Sequence, residues 1–239
     1  GSSPRCHVKN GVRKSLFCSD KSDEKLFLED QIVFLHSLKI VTKVFFRVTQ
    51  VHGNHVYVLK DSSIPVSEVG LCEADAIITH IPDCPIVVLT ADCVPIIIYD
   101  PIKHVVGIVH AGRLGTQKRI FTNTVEALSR EYGSKPKNLI VGMGPAIRGC
   151  CYELDEPCAL PFIKKSPFSS EFINKIEGNK FFVDLPKVNR FEGYEAGILM
   201  KNIYTDGPCT SCENDRWYSY RREGKTGRLI TLAMLQSRE

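Results

Sequence analysis

Three short stretches each set a histidine or a cysteine at the end of an apolar run, beside glycine or proline. They are QVHGNH (50–55), TADCVP (90–95) and VHAGRLG (109–115). The middle one interrupts PIVVLTADCVPIIIYDP (85–101) with an acid and a thiol side by side. A strand-forming run carries such a break only where the break has a use. Strand ends with small neighbours are places where side chains from separate strands can converge at a sheet edge. His52, Cys93 and His110 therefore read as one set. Two imidazoles and a thiolate are a borderline-soft donor set suited to zinc, with one coordination position left open. The same atoms also fit a Cys–His hydrolase. In that reading Cys93 is the nucleophile, His110 its base, and Asp92 or another polar group orients the imidazole. Both readings stand at this level. Asp92 itself reads either as a polar pocket group, orienting a ligand or moving a proton, or as a turn residue bonded to local backbone.

Other chemistry-bearing residues carry weaker signals. Cys209 and Cys212 form one C-x-x-C pair without a second pair at matching spacing, so they read as loop thiols rather than a zinc knuckle. Cys209 could still face the pocket. The adjacent Cys150 and Cys151 are poorly placed for bridging, and Cys6, Cys18, Cys72, Cys84 and Cys158 read as core fillers. His7, His36, His80 and His104 have no companions at ligand spacing. WYSYRREGKTG (217–227) reads as a hairpin with a solvated turn. Alternation along its first strand would point one of Arg221 and Arg222 inward as a fixed bidentate donor, with Arg222 the solvated one.

The elements that must position these residues are mostly strands. A helical period runs over Leu26–Leu38. Strand-type runs follow at Lys43–Val51, His55–Leu59, Ala76–Thr79, Ile86–Thr90, Pro95–Tyr99 and Val105–Val109. Arg119–Tyr132 has one apolar face and Gly133 as a stop. Asn138–Val141 reads as a strand, Asp184–Met200 as a long helix with proline in its first turn, and Trp217–Arg221 and Arg228–Leu235 as closing strands. The class is mixed α+β, without the regular alternation of a doubly wound sheet. Neither a dinucleotide fingerprint nor a Walker loop is present, and GMGP (142–145) is a tight turn after a strand.

The bulk numbers fit a globular chain of this kind. Of 239 residues, 43% are hydrophobic and 24% charged, enough to build a sizeable core. A net charge of +4 without blocks of like charge is too mild for a nucleic-acid footprint, but suits an anionic small substrate. Ten cysteines spread through a core-forming chain of this length imply free thiols in a reducing compartment, the cytoplasm. No apolar run reaches membrane-spanning length, and none has the form of a signal peptide. Residues 1–3 (GSS) resemble an expression scar, and 4–239 read as a single domain.

QVHG, TADCVP, VHAG, GPAIRGCCYEL and YSYRREGKTGR, in this order, resemble the multicopper polyphenol oxidoreductase (laccase-domain) family over roughly residues 44–236. Members of that family are understood as purine nucleoside phosphorylases. The resemblance implies a compact α+β fold of mixed sheets flanked by helices in α/β/β/α layers. It implies one zinc held by His52, Cys93 and His110, and purine nucleosides with phosphate as substrates. The implied activities are phosphorolysis of adenosine, inosine, guanosine and methylthioadenosine, and deamination of adenosine to inosine. Arg113, Arg148 and Arg221 are the candidate cationic donors for phosphate. Two departures stand out. After HAG the family has tryptophan and then a basic residue, where this chain has Arg113 and Leu114, and the family's N-terminal loop is barely recognisable in NGVRKSLF (10–17). A copper phenol oxidase would need more than the seven histidines present. A non-catalytic zinc module would need a closed fourth ligand such as Cys209. Monomer and homodimer are both compatible with the sequence.

Overall fold

Alternation along the strands explains how the sheets pack. In the computed structural model, β6 (Val94–Asp100) and β7 (Val105–Ala111) pair antiparallel, Val94 opposite Ala111 and Asp100 opposite Val105. Val94, Ile96 and Ile98 point to one core, while Ile97 and Tyr99 pack against a second on the other face. Successive side chains on a strand face opposite ways, so one β-branched run feeds both cores. This is how a sheet buried on both sides reads as a continuous hydrophobic run.

The described residues are 45–62, 72–165, 169–213 and 216–237, together with the backbone of two short strands, β1 (His7–Lys9) and β2 (Val12–Lys14), which pair with each other. Around β6 and β7 lie β3 (Val56–Leu59), β4 (Ala76–Thr79), β8 (Ile140–Met143) and β12 (Ile203–Tyr204), in the order β12-β8-β6-β7-β4-β3. The two outer pairs are parallel and the inner three antiparallel. Helices α2 (Ile120–Tyr132), α3 (Glu156–Lys165) and α4 (Leu185–Glu195) contribute to the core on one face. On the other, β5 (Ile86–Thr90) pairs with β13 (Leu229–Ala233) to close the second core. Three more short strands, β9 (Glu153–Asp155), β10 (Ile173–Ile176) and β11 (Lys180–Val183), make a separate sheet. Helices, sheet and second sheet form three layers of an α+β fold. The candidate helix Leu26–Leu38 lies outside the described residues.

Most expected elements hold within a residue or two, and three do not. In the run expected at Lys43–Val51 the described part is extended but joins the sheets only by isolated bridges, Phe46 to Ile86 and Thr49 to Glu73. The expected strand Asn138–Val141 starts two residues later, after a short 3-10 turn over Pro136–Asn138. The helix expected over Asp184–Met200 stops at Glu195. Gly197, at φ +91°, and Ile198 return their N–H groups to Tyr194 and Gly193, a Schellman ending that only a left-handed residue permits. Its start is as expected, with Asp184 accepting the Lys187 N–H and Pro186 in the first turn. Finally, Trp217–Arg221 is no strand. Ser219 caps a short helix, α5 (Tyr220–Glu223), by accepting the Arg222 N–H, and β13 pairs with β5 instead. No helix among the described residues is long and apolar enough to cross a membrane.

Candidate metal centre

His52, Cys93 and His110 come from three different places in the fold and meet. His110 is near the end of β7, Cys93 in the loop from β5 into β6, and His52 in the loop before β3. Their ligand atoms all lie within 4.8 Å of one another. The Cys93 sulfur is 3.8 Å from His52 Nε2, and the two imidazoles meet edge to face with centroids 4.7 Å apart. His110 is buried, Cys93 half-buried and His52 exposed, so the set opens to solvent on the His52 side.

A buried acid absent from the sequence-based candidates organises this set. Asp75 Oδ1 lies 2.7 Å from His110 Nδ1, with both side chains almost fully buried. The same carboxylate accepts the backbone N–H groups of Val51 (3.3 Å), His52 (3.0 Å) and Gly53 (2.6 Å). Three converging donors hold the loop in shape, with His52 at φ +56°, a backbone region costly for a residue with a side chain. Burial works against the Asp75 charge, but His110 and the Gly53 N–H outweigh it and hold the carboxyl below its ordinary range. One carboxylate thus orients two of the three candidate ligands. Gln50 anchors the other side of the loop by exchanging both amide hydrogen bonds with the Leu89 backbone at 2.8 Å.

The electrostatics suit an ion. With Nδ1 held by Asp75, Nε2 is the His110 nitrogen left for coordination, an arrangement common to metal-bound histidines. Burial pushes the Cys93 thiol up, but His110 and His52 beside it more than reverse this and bring it to about 6. Burial pushes His110 down, while Asp75 and Cys93 raise it to about 9. In the metal-free protein the pair is therefore a thiolate facing an imidazolium. Gly112 supplies room: a Cβ there would stand 2.8 Å from both Cys93 Sγ and His52 Cδ2. The donor types, their convergence and that clearance fit a thiophilic divalent ion.

The remaining candidates occupy distinct roles. Asp92, at φ +86°, accepts the Thr210 hydroxyl at 2.6 Å and the Arg221 N–H at 2.7 Å, so it ties two distant segments to the Cys93 loop. The carboxylate that orients a candidate ligand is Asp75. Arg113 opens α1 (Arg113–Gln117) directly after Gly112. Arg221 is exposed, with its guanidinium 4.8 Å from the centre of the Tyr152 ring and Nη1 donating to Glu153 O at 2.9 Å. Arg148 is turned elsewhere: Nε donates to Asp184, and Nη1 to Thr205 O at 2.7 Å and Gly207 O at 3.0 Å. Arg222, expected in solvent, is half-buried and donates to the carbonyls of Thr210, Ser211 and Trp217. Cys209 does not join His52, Cys93 and His110; it lies with Cys150, Cys151 and Cys212.

Tyr152 is a second residue the sequence reading passed over. Burial raises its hydroxyl, the Cys93 thiolate adds to this, and Arg113 and Arg221 oppose it, which places all three within electrostatic reach of the ring. Its position inside CCYEL, next to a cysteine pair, was the available signal. A groove on the helical side, lined by Arg119, Thr122, Glu126, Arg130 and Glu195, contains none of these residues.

Comparison with known proteins identifies the family. Residues 13–236 match the family described as "Multi-copper polyphenol oxidoreductase laccase", and the chain belongs to that family. Among its relatives, "Purine nucleoside phosphorylase YlmD" of Bacillus subtilis (strain 168) is 34% identical over 68% of this chain and 59% of its own length. "Purine nucleoside phosphorylase LACC1" of Mus musculus is 30% identical over 88% of this chain and 48% of its own. A Deinococcus radiodurans protein named "Purine nucleoside phosphorylase" is 33% identical over 97% of this chain and 87% of its own. The chain thus spans about half the length of the first two. Among solved structures, the hypothetical protein YfiH of Bacillus licheniformis superposes with a TM-score of 0.86 at 28% identity, covering 93% of this chain and 85% of that one. YlmD from Geobacillus stearothermophilus reaches 0.85 at 24% identity, with the same coverage of both chains, and supports the fold alone.

Proposed function

We propose that the chain is a zinc-dependent purine nucleoside phosphorylase, with His52, Cys93 and His110 as the zinc ligands and purine nucleosides and phosphate as substrates. The observation that carries the reading is the convergence of these three donors around an Asp75-oriented histidine, beside Tyr152 and two arginines, in a family whose relatives bear that name. A zinc ion held there would supply fixed positive charge and Lewis acidity.

The chain's own residues account for the rest. In phosphorolysis a phosphate oxygen forms a bond to C1′ of the ribose, the C1′–N bond breaks, and the purine leaves with the electron pair and takes up a proton. Positive charge builds on the ribose in the transition state, as in glycoside cleavage. Arg113 and Arg221 are assigned to hold the incoming phosphate, Arg221 kept in position by the Glu153 carbonyl and the Tyr152 ring. Asp92 fixes the Arg221 backbone relative to the Cys93 loop. Tyr152 keeps its proton because its hydroxyl is raised, and is assigned as hydrogen-bond donor to the departing base. Arg148 serves by holding the 205–207 segment rather than by meeting phosphate. Methylthioadenosine phosphorolysis and adenosine deamination belong to the same proposal. So does a cytoplasmic setting.

One observation favours a second reading. Asp75, His110 and Cys93 follow one another in the order acid, imidazole, thiol, which is also the order of a hydrolytic triad. Cys93→Ser separates the two. The metal reading expects zinc content and phosphorolysis to fall together, whereas loss of activity at full zinc occupancy supports the nucleophile.

A further inference from the structure

Four cysteines outside this centre form a second cluster. Cys150 and Cys151 lie between β8 and β9, and Cys209 and Cys212 some 60 residues later, between β12 and α5. All four sulfurs lie within 4.8 Å of one another, and Cys212 is 3.3 Å from both Cys150 and Cys151. The four are free thiols. In a tetrahedral zinc–tetrathiolate site, a Zn–S bond of about 2.3 Å sets the sulfurs about 3.8 Å apart, between those two separations.

We propose that Cys150, Cys151, Cys209 and Cys212 bind a second zinc ion, in a closed site distinct from His52, Cys93 and His110. Several features beyond the sulfur distances support this. The buried Cys209 sulfur accepts the Arg148 N–H at 3.4 Å. The Ser211 and Cys212 N–H groups, two and three residues further on, are also directed at it. Backbone donors folded back onto the first sulfur of a C-x-x-C turn are the arrangement that stabilises a thiolate ligand. Burial works against this thiolate, yet those N–H groups bring Cys209 below its ordinary value. Two of its neighbours go the other way: the crowded sulfurs, Cys151 most of all, raise Cys212 to about 11, and burial foremost raises Cys150. A divalent cation removes that repulsion by replacing protons with one shared charge. Arg222 braces the same turn from behind by donating to the Thr210 and Ser211 carbonyls between the two cysteines.

Four protein ligands leave no open position, so the site is structural. It joins the 146–152 turn, which carries Tyr152, to the 205–222 segment, which carries Arg221. The contacts already linking them include Ala146 N–H to Pro208 O at 3.3 Å, Thr210 N–H to Ala146 O at 3.1 Å, Arg148 to the Thr205 and Gly207 carbonyls, and the Arg221 guanidinium over the Tyr152 ring.

The test is native mass spectrometry of the full chain, purified under reducing conditions, with zinc counted per folded molecule. The expected result is about two ions in the wild type and about one in Cys212→Ser, in Cys150→Ser and, by loss of the other site, in Cys93→Ser. Wild-type stoichiometry needs no variant to fold. Cobalt substitution adds a check, since the sulfur-to-metal absorption of the wild type should fall far more in Cys212→Ser than in Cys93→Ser. One zinc per wild-type chain, unchanged in Cys212→Ser, would overturn the proposal. So would a disulfide between Cys212 and Cys150 or Cys151 in place of metal, or iron or copper in place of zinc.

Discussion

Asp75 accepts from His110 through one carboxylate oxygen while its two oxygens together gather three backbone N–H groups of the His52 loop. The consequence is that a residue with no place in the candidate ligand set governs two members of it. Asp75→Asn keeps the size but gives up the charge. Metal affinity is expected to fall about 10- to 100-fold, the usual effect of losing such a partner. Competition against a chelator measures it, and unchanged affinity would mean that His110 orients itself.

Gly112 makes a steric prediction. Its missing Cβ would lie 2.8 Å from both Cys93 Sγ and His52 Cδ2, closer than packed atoms tolerate. Gly112→Ala should therefore lose metal and activity while the far side of the sheet melts as before. Full zinc occupancy in this variant would show that the loop has room to move.

The electrostatics of the metal-free centre predict a reactivity profile. Cys93 sits at about 6, below an ordinary thiol, so its thiolate fraction is half at that pH and nearly complete at pH 7. Alkylation of the metal-stripped protein, followed peptide by peptide, should rise between about pH 5 and 7 at Cys93 and then level off. The Cys84 thiol, which burial pushes up to about 11, should still be gaining reactivity well above that range. A Cys93 rate that climbs steadily to pH 9 would contradict the thiolate–imidazolium pairing.

Arg221 offers a kinetic test of its proposed contact with phosphate. Its guanidinium is exposed toward the Tyr152 ring and its backbone is fixed by Asp92. Removing one charge-assisted donor to phosphate in Arg221→Ala should raise KM for phosphate about tenfold or more. KM for the nucleoside should change little. An equal rise in both would place Arg221 elsewhere in the mechanism.

The parts of this centre legible in the sequence were those marked by local context. His52, Cys93 and His110 each stand at a strand end with small neighbours, and β4 to β7 carry the β-branched pattern that builds the sheet. Asp75 was not legible, because nothing in EADA, which leads into β4, marks it and its partners lie 22 and 35 residues away. The cysteine cluster escaped for the same reason: Cys212 lies 62 and 61 residues from Cys150 and Cys151, which are adjacent rather than a second C-x-x-C pair. WYSYRR was misread as a strand because its aromatics alternate. The Ser219 cap and the Asp92 carboxylate, 129 residues from Arg221, decide for a helical turn instead. Long-range hydrogen bonds override local pattern in each of these cases.

The most direct test is product analysis of the purified chain incubated with inosine, with and without phosphate, alongside metal content. Wild-type protein with zinc bound is expected to give hypoxanthine and ribose 1-phosphate only when phosphate is present, and the metal-stripped protein to give neither until zinc is restored. Free ribose formed without phosphate, or phosphorolysis that persists after zinc is removed, would contradict the account.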